Sequence, residues 1–210
     1  MESTFRQRNV GKRPGGRTAE VTARIQDAII GLIAEGGVDS CSFSAVAERA
    51  GVERSTVYRR FPDRWQAIID ALTTRAGADI LPDLGRSFAR DLRSTMRKLR
   101  DTLESPYGPA LLAVVGALRE GSGRRHARRF FDTRLAQLAP MFEAAIARGE
   151  LPPNVDREAL IAFAAGPIYF RMFIAAQPVD NRFIDGIVSS VCATFCCAPK
   201  PEVPRSAFPL

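Results

Sequence analysis

The stretch "AVAERAGVERSTVYRRF", residues 45–61, decides how this chain is read. Two short helical segments meet at Gly51, where only glycine turns cheaply through a left-handed conformation. Phe61-Pro62 ends the second segment, because proline excludes helical geometry in the residue before it. At roughly 100° per residue, Val57 and Phe61 share one side of that segment. Ser55, Thr56 and Arg59 share the opposite side, with Tyr58 on one flank, Arg60 on the other and Arg54 at the N-terminal tip. Two short helices joined this way make a helix-turn-helix, whose second helix can lie in the DNA major groove. The competing reading is an ordinary solvated surface helix.

The flanks favour the first reading. Upstream, Ile25, Ala28, Ile29, Leu32 and Ile33 recur at i, i+3, i+4, i+7 and i+8, one apolar stripe of a first helix. Thr18 is its expected N-cap, and Gly36-Gly37 end it. Ser42 caps a short second helix with Val46, Ala47 and Ala50 on its inner side. Asp63 can sit in the first turn of a fourth helix, which runs through "RWQAIIDALTTRA". Before all of these, residues 1–17 read as a flexible basic arm, with Arg6, Arg8, Lys12, Arg13 and Arg17 against Glu2; the glycines and proline of "GKRPGGR" argue against helix there.

The chemistry of the outward side suits a polyanion. Arginine forks onto guanine O6/N7 or onto a phosphate. Serine and threonine hydroxyls are short enough to let the backbone approach closely. Tyr58 can offer its hydroxyl to a phosphate while its ring packs on the domain, and helix N-termini at Ser42, near 54 and near Asp63 add partial positive charge. No acidic residue intervenes between Glu53 and Asp63.

At these residues the chain resembles the tetracycline-repressor-like (TetR) family of bacterial transcription regulators. The matching elements are "IQDAIIGLIAEGG", "AVAERAGV", "STVYRRFPDR" and the start of the fourth helix, spanning about residues 18–78. The resemblance implies DNA contacts at Ser42, Thr56, Tyr58 and Arg64, with Arg13 and Arg17 of the arm in the minor groove. Together with Arg54, Ser55 and Arg59 these form the expected DNA-binding set. Glu53 stands where the family usually has Ser or Gly, and Ala67 where it usually has Leu.

Beyond the fourth helix, further helices are expected over 83–103, 107–120, 124–149, 156–176 and 180–197, separated by Pro- and Gly-bearing breaks. No period-two stretch stands out, so the fold class is all-α, about nine helices. Residues 79–197 form a regulatory and dimerisation domain, and the Pro-rich 198–210 a disordered tail. "ALLAVVGALRE", "FEAAIARGELPPNVD" and "FAAGPIYFRMFI" also resemble the ligand-binding half of one TetR subgroup. Ile184, Ile187, Val188, Val191 and Phe195 form a seam on the last helix, read as a homodimer interface. The preceding helix is apolar on nearly every side and should be buried all round. Pro167 inside it removes a hydrogen bond and bends the axis. The resemblance implies a small-molecule effector cavity there, with Phe163, Tyr169, Phe170 and Phe173 as its expected lining. The plain alternative for both sets is an intramolecular core.

Composition sets the bounds. The chain has 210 residues, 46% of them hydrophobic and 25% charged, enough for a substantial core. A formal net charge of +7 favours an anionic partner, nucleic acid before an anionic membrane. No apolar run long enough to span a bilayer is free of charge or proline. Without a signal peptide the expected compartment is the cytoplasm. Cys41, Cys192, Cys196 and Cys197 have no metal-ligand spacing, and the last three read as buried apolar thiols; the lone His126 lies among arginines. No catalytic triad, phosphate-binding loop or HExxH occurs, so neither an enzyme nor a cofactor is expected. The reading is a sequence-specific transcriptional regulator, a repressor released from operator DNA by an effector. The alternative is a helical ligand-binding or interaction protein without specific DNA binding.

Overall fold

A computed structural model describes residues 15–80, 82–117 and 123–197. Among these there are nine α-helices and no strand: α1 (Gly15–Gly36), α2 (Phe43–Ala50), α3 (Arg54–Arg60), α4 (Arg64–Asp79), α5 (Phe88–Glu104), α6 (Tyr107–Ala117), α7 (Gly123–Ala147), α8 (Arg157–Tyr169) and α9 (Asn181–Phe195). The chain is thus all-α. It divides into two compact units: Met1–Leu72 with Pro109–His126, and Thr73–Gly108 with Ala127–Leu210.

In the first unit α1 packs on α2, and α2 on α3. The α1 stripe supplies Ile25, Ile29 and Ile33, all essentially inaccessible, and α2 contributes Val46, Ala47 and Ala50. Ser42 caps α2, its hydroxyl accepting from the Ala45 N–H at 3.2 Å. Gly51 closes α2 at φ 62°, ψ 44°, and its N–H returns to the Glu48 carbonyl at 3.1 Å. Asp63 accepts from the Gln66 N–H at 2.8 Å and so caps α4 rather than lying inside its first turn.

The start of α1 departs from the expectation. Thr18 is not its N-cap: the helix already runs from Gly15, and the Thr18 carbonyl accepts from the Thr22 hydroxyl at 2.9 Å. Each glycine costs about 1 kcal/mol in a helix, little against a helix anchored by a long buried stripe.

In the second unit α9 packs on both α5 and α8. Its centre holds Phe88, Leu92 and Met96 of α5, Met141 and Phe142 of α7, Leu160, Ala164 and Ile168 of α8 and the inner side of α9. The expected helix over 156–176 is α-helical only to Tyr169. It then widens into a π-helical turn, Phe170–Ile174, with the Ala175 N–H on the Phe170 carbonyl at 2.9 Å. Asp91, nearly inaccessible, is held by the Gly85 N–H at 2.8 Å and by Arg148 at 3.5 Å. Of the cysteines only Cys41 is buried; Cys192 and Cys196 are half-buried and Cys197 is exposed, so the reading of those three as buried does not hold. Burial pushes the Cys41 thiol up to about 11, with Arg64 pulling the other way.

Gly51 occupies a backbone region that costs an L-residue about 1–2 kcal/mol, although space for a methyl exists beside it. Gly51→Ala is therefore expected to lower stability by about 1 kcal/mol, read as a reduced urea midpoint at unchanged m-value; an unchanged midpoint would contradict the turn's role.

Candidate nucleic-acid interface

The helix α3 has seven residues, and its orientation is set by what it buries. Val57 is inaccessible and Phe61, the C-cap, is 5% exposed. Both point into the first unit, as their i, i+4 spacing requires. Arg54, Ser55 and Arg59 are consequently exposed and Thr56 half-buried at the edge of the same side. Tyr58 is 57% exposed, and its ring stands edge-on against Phe43 at 4.9 Å and 87°. This contact holds the ring while leaving the hydroxyl outward. Phe43 escaped the sequence reading; its position directly after the Ser42 cap, one residue into α2, was the available signal.

Arg60 does not join the outward flank. It donates to the Thr22 hydroxyl at 2.5 Å, and Thr22 in turn donates to the Thr18 carbonyl. The guanidinium therefore ties α3 to α1. Two further arginines fix the frame: Arg24 donates to the Ala50 carbonyl at the end of α2 (3.2 Å), and Arg49 forms a two-pronged pair with Glu35 on α1 (2.6 and 2.5 Å).

Ser42 is exposed, and since its oxygen accepts from the backbone, its hydroxyl hydrogen stays available to an incoming acceptor. Arg64 is half-buried, with its guanidinium 5.7 Å from the Trp65 ring centre. Glu53 provides no cap to α3; its carboxylate instead accepts from the Ser55 hydroxyl at 3.3 Å. Ser55 is thus partly engaged by an acid that would also repel phosphate. Arg13 lies outside the described residues. Arg17 falls in the first turn of α1, its side chain outside the described set.

The expected regulatory residues sort differently from the prediction. Ile184, Ile187, Val188 and Val191 are buried within the single chain, at 0, 7, 2 and 0% exposure. The seam assigned to a partner is the unit's own core, because α5 and α8 already cover that side of α9. Conversely Phe163 and Phe170, assigned to an enclosed cavity, are 47% and 61% exposed, and Ile174 is 73% exposed. The α8 helix is therefore not buried all round. Phe163 meets the half-buried Phe195 edge-on at 6.0 Å. Beside them runs an open groove of about 650 Å³ lined by Phe163, Pro167, Arg171, Phe183, Gly186 and Ser190.

Tyr169 and Phe173 turn the other way, their rings 6.1 Å apart. With Tyr169 come Tyr107 of α6 and Arg134 of α7, both within electrostatic reach of it and neither marked by any sequence periodicity. Burial raises both phenols above their ordinary range, while Arg134 pulls them down; burial in turn lowers the Arg134 guanidinium.

An outward polar face on a short helix, set by a buried neighbour and preceded by a capped helix and a glycine turn, defines a helix-turn-helix DNA-binding protein. Residues 25–75 match the family model described as "Bacterial regulatory proteins, tetR family", and residues 81–191 the one described as "Tetracyclin repressor-like, C-terminal domain". The chain belongs to the TetR family and is a transcriptional regulator. It is 30% identical over 180 residues to the HTH-type transcriptional regulator YdeS of Bacillus subtilis (strain 168), covering 84% of this chain and 90% of that one. It is 32% identical over 161 residues to the HTH-type transcriptional regulator AqdR of Rhodococcus erythropolis, covering 76% and 77%. The crystal structure of the TetR family transcription regulator SCO0332 superposes with a TM-score of 0.69 at 24% identity, over 85% of this chain and all of that one.

Thr56→Ala and Arg59→Ala, on the outward side, are expected to change folding stability by no more than about 0.5 kcal/mol. Val57→Ala should cost about 2 kcal/mol through lost methyl burial and a residual cavity. Thermal melts of the three variants decide this; a large loss for Thr56 or Arg59 would mean that their side is structural.

Proposed function

We propose that the chain is a homodimeric repressor acting in the cytoplasm, that it binds double-stranded operator DNA through the α3 face, and that a small-molecule effector releases it. Regulation, not catalysis, is its role. The observation that carries this reading is the inward lock of Val57 and Phe61, which leaves Thr56, Tyr58 and Arg59 outward together. Arg54, Ser42 and Arg64 surround them as phosphate contacts, and Arg13 and Arg17 extend the contact into the minor groove. The linear arrangement is an arm over 1–17, whose last three residues already belong to α1, a DNA-binding domain over 18–78 and a regulatory domain over 79–197.

One helix-turn-helix reads too few base pairs for a unique site, and a two-fold pair solves this by presenting two recognition helices in helical phase. The α8–α9 face is the surface we assign to that pairing. Phe163, Phe170 and Ile174 project from it as exposed apolar groups. Gly186, Ser190 and Ala193 on α9 are exposed and small, so a second copy can approach closely. Release then follows from population shift: an effector weakens DNA binding only by its differential affinity for the two dimer geometries. The helix α4 crosses from the first unit to the second at Leu72–Thr73, as α6 does at Gly108–Pro109 and α7 at His126–Ala127, and these helices are the covalent paths for that coupling.

Gel shifts on duplex DNA from the chain's own gene neighbourhood test the reading. Affinity should fall with salt at a log–log slope of about −0.9 per phosphate neutralised. Thr56→Ala and Arg59→Ala should each weaken operator binding about tenfold or more, consistent with roughly 1–3 kcal/mol per base contact, without altering the dimer. Absence of any sequence preference would favour a helical ligand-binding protein instead. Phe170→Glu with Ile174→Glu should yield monomers in light scattering; a dimer that survives the double change would remove the π-helical turn after α8 from the interface.

A further inference from the structure

A groove of about 670 Å³ in the second unit is bordered by the start of α5, the end of α7 and the last turn of α9. Phe88, Ile146 and Leu151 give it apolar walls, and Cys192, Cys196 and Cys197 all line it. Cys192 and Cys196 are half-buried, so both can be reached from the groove. They lie four residues apart, and α9 is intact between them: the Cys196 N–H donates to the Cys192 carbonyl at 3.0 Å. Cys196 is the C-cap, yet its φ of -79° leaves its Cβ in the helical place, and only its ψ of 150° turns the chain away afterwards. The two thiols therefore stand one above the other on the same face, within hydrogen-bonding reach.

Their spacing decides what such a pair can do. Residues at i and i+4 carry Cβ atoms about 5–6 Å apart, whereas a disulfide holds them at about 3.5–4.5 Å. A direct S–S bond would have to break the last turn of α9; one ion seated between the two sulfurs would not. The surrounding charge points the same way. Burial pushes the Cys196 thiol up to about 12, and Cys192, Glu150 and Cys197 act in the same direction. Arg148 also lines the groove, but it is engaged by Asp91 at 3.5 Å and by Glu150 at 2.9 Å. A cation bound between the sulfurs supplies the positive charge that lets both lose their protons.

The number of ligands selects the ion. No group of three or more His, Cys, Asp or Glu side chains among the described residues is placed to hold a metal. Structural zinc takes four ligands, and magnesium and calcium take oxygens. Two thiolates alone suit a soft monovalent ion. We infer that Cys192 and Cys196 form a two-coordinate site for a soft monovalent cation, copper(I) in kind, with silver(I) as its air-stable probe. Each thiol gives up its proton as its metal–sulfur bond forms, so two protons leave for each ion bound and no electron is transferred. The inference goes beyond the repressor reading and does not depend on it.

Titration of the reduced full chain with copper(I), in competition with the chelator bicinchoninate, tests it. The chain should take one ion from the chelator. Cys192→Ser and Cys196→Ser should each weaken binding by about a hundredfold or more, the usual loss when two linked ligands become one. Cys41→Ser and Cys197→Ser should leave the affinity unchanged. Wild-type affinity in either of the first two variants, an equal loss in Cys197→Ser, or no uptake against the chelator overturns the inference. Half an ion per chain overturns it as well, because the ion then joins two copies. X-ray absorption of the copper-loaded wild type needs no variant. It should show two sulfur neighbours; three sulfurs, or any nitrogen or oxygen neighbour, contradicts the two-thiol site. Silver(I) should raise the melting temperature of the wild type and leave that of Cys192→Ser where it was, since an ion that binds only the folded site stabilises it by mass action. An equal rise in both would put the ion elsewhere.

Discussion

The seating of Val57 is the constraint on which the DNA-binding unit depends. A helix of seven residues does not persist in water by its own hydrogen bonds, because its nucleus costs more than so few bonds return. The α3 segment is helical because Val57 and Phe61 are buried in the first unit, where α3 packs on α2. The same contact fixes its rotation. A register slip of one residue turns a helix by roughly 100°, which would bury Thr56 and expose Val57. Arg60, bonded to Thr22, adds a polar stop on the other edge. The outward chemistry of Thr56, Tyr58 and Arg59 is thus a consequence of an inward apolar contact.

Much of this unit could be read from the sequence, for definite physical reasons. Gly51 marks a left-handed turn, Ser42 a cap, Pro62 a stop, and the spacing of Val57 and Phe61 an inward side. Each is a local rule acting within four residues. The failures at Thr18 and Arg60 have local causes too. Capping preference is weaker than a long buried stripe, so α1 begins before Thr18. A wheel assigns Arg60 a direction, but a long flexible side chain near a boundary is settled by its hydrogen-bond partner, here on another helix.

The second unit was legible in helix content and poorly legible in facing. An α8 that is apolar on nearly every side has no preferred side on a wheel, so Phe163 and Phe170 could not be told from Tyr169 and Phe173. On α9 the strongest apolar stripe marks the side that its own chain buries, and Ile184 and Val191 are inaccessible for that reason. The outer side of α9 is built from small residues, Gly186, Ser190 and Ala193, which hydrophobic spacing does not register. Tyr107, Arg134 and Tyr169 come within electrostatic reach only through tertiary packing, and no linear pattern joins them. Local rules therefore recover the helix-turn-helix of this protein, while the interior of its second unit emerges only when the helices are assembled.

In the proposed dimer the DNA site is a property of two α3 faces presented together. Selection from a random duplex library with the purified full chain tests that claim most directly. Enrichment of a single motif composed of two inverted half-sites in helical phase, lost when Thr56 and Arg59 are both replaced by alanine, is the expected result. A library that emerges without an enriched motif, or one enriched equally by the doubly substituted chain, would contradict it.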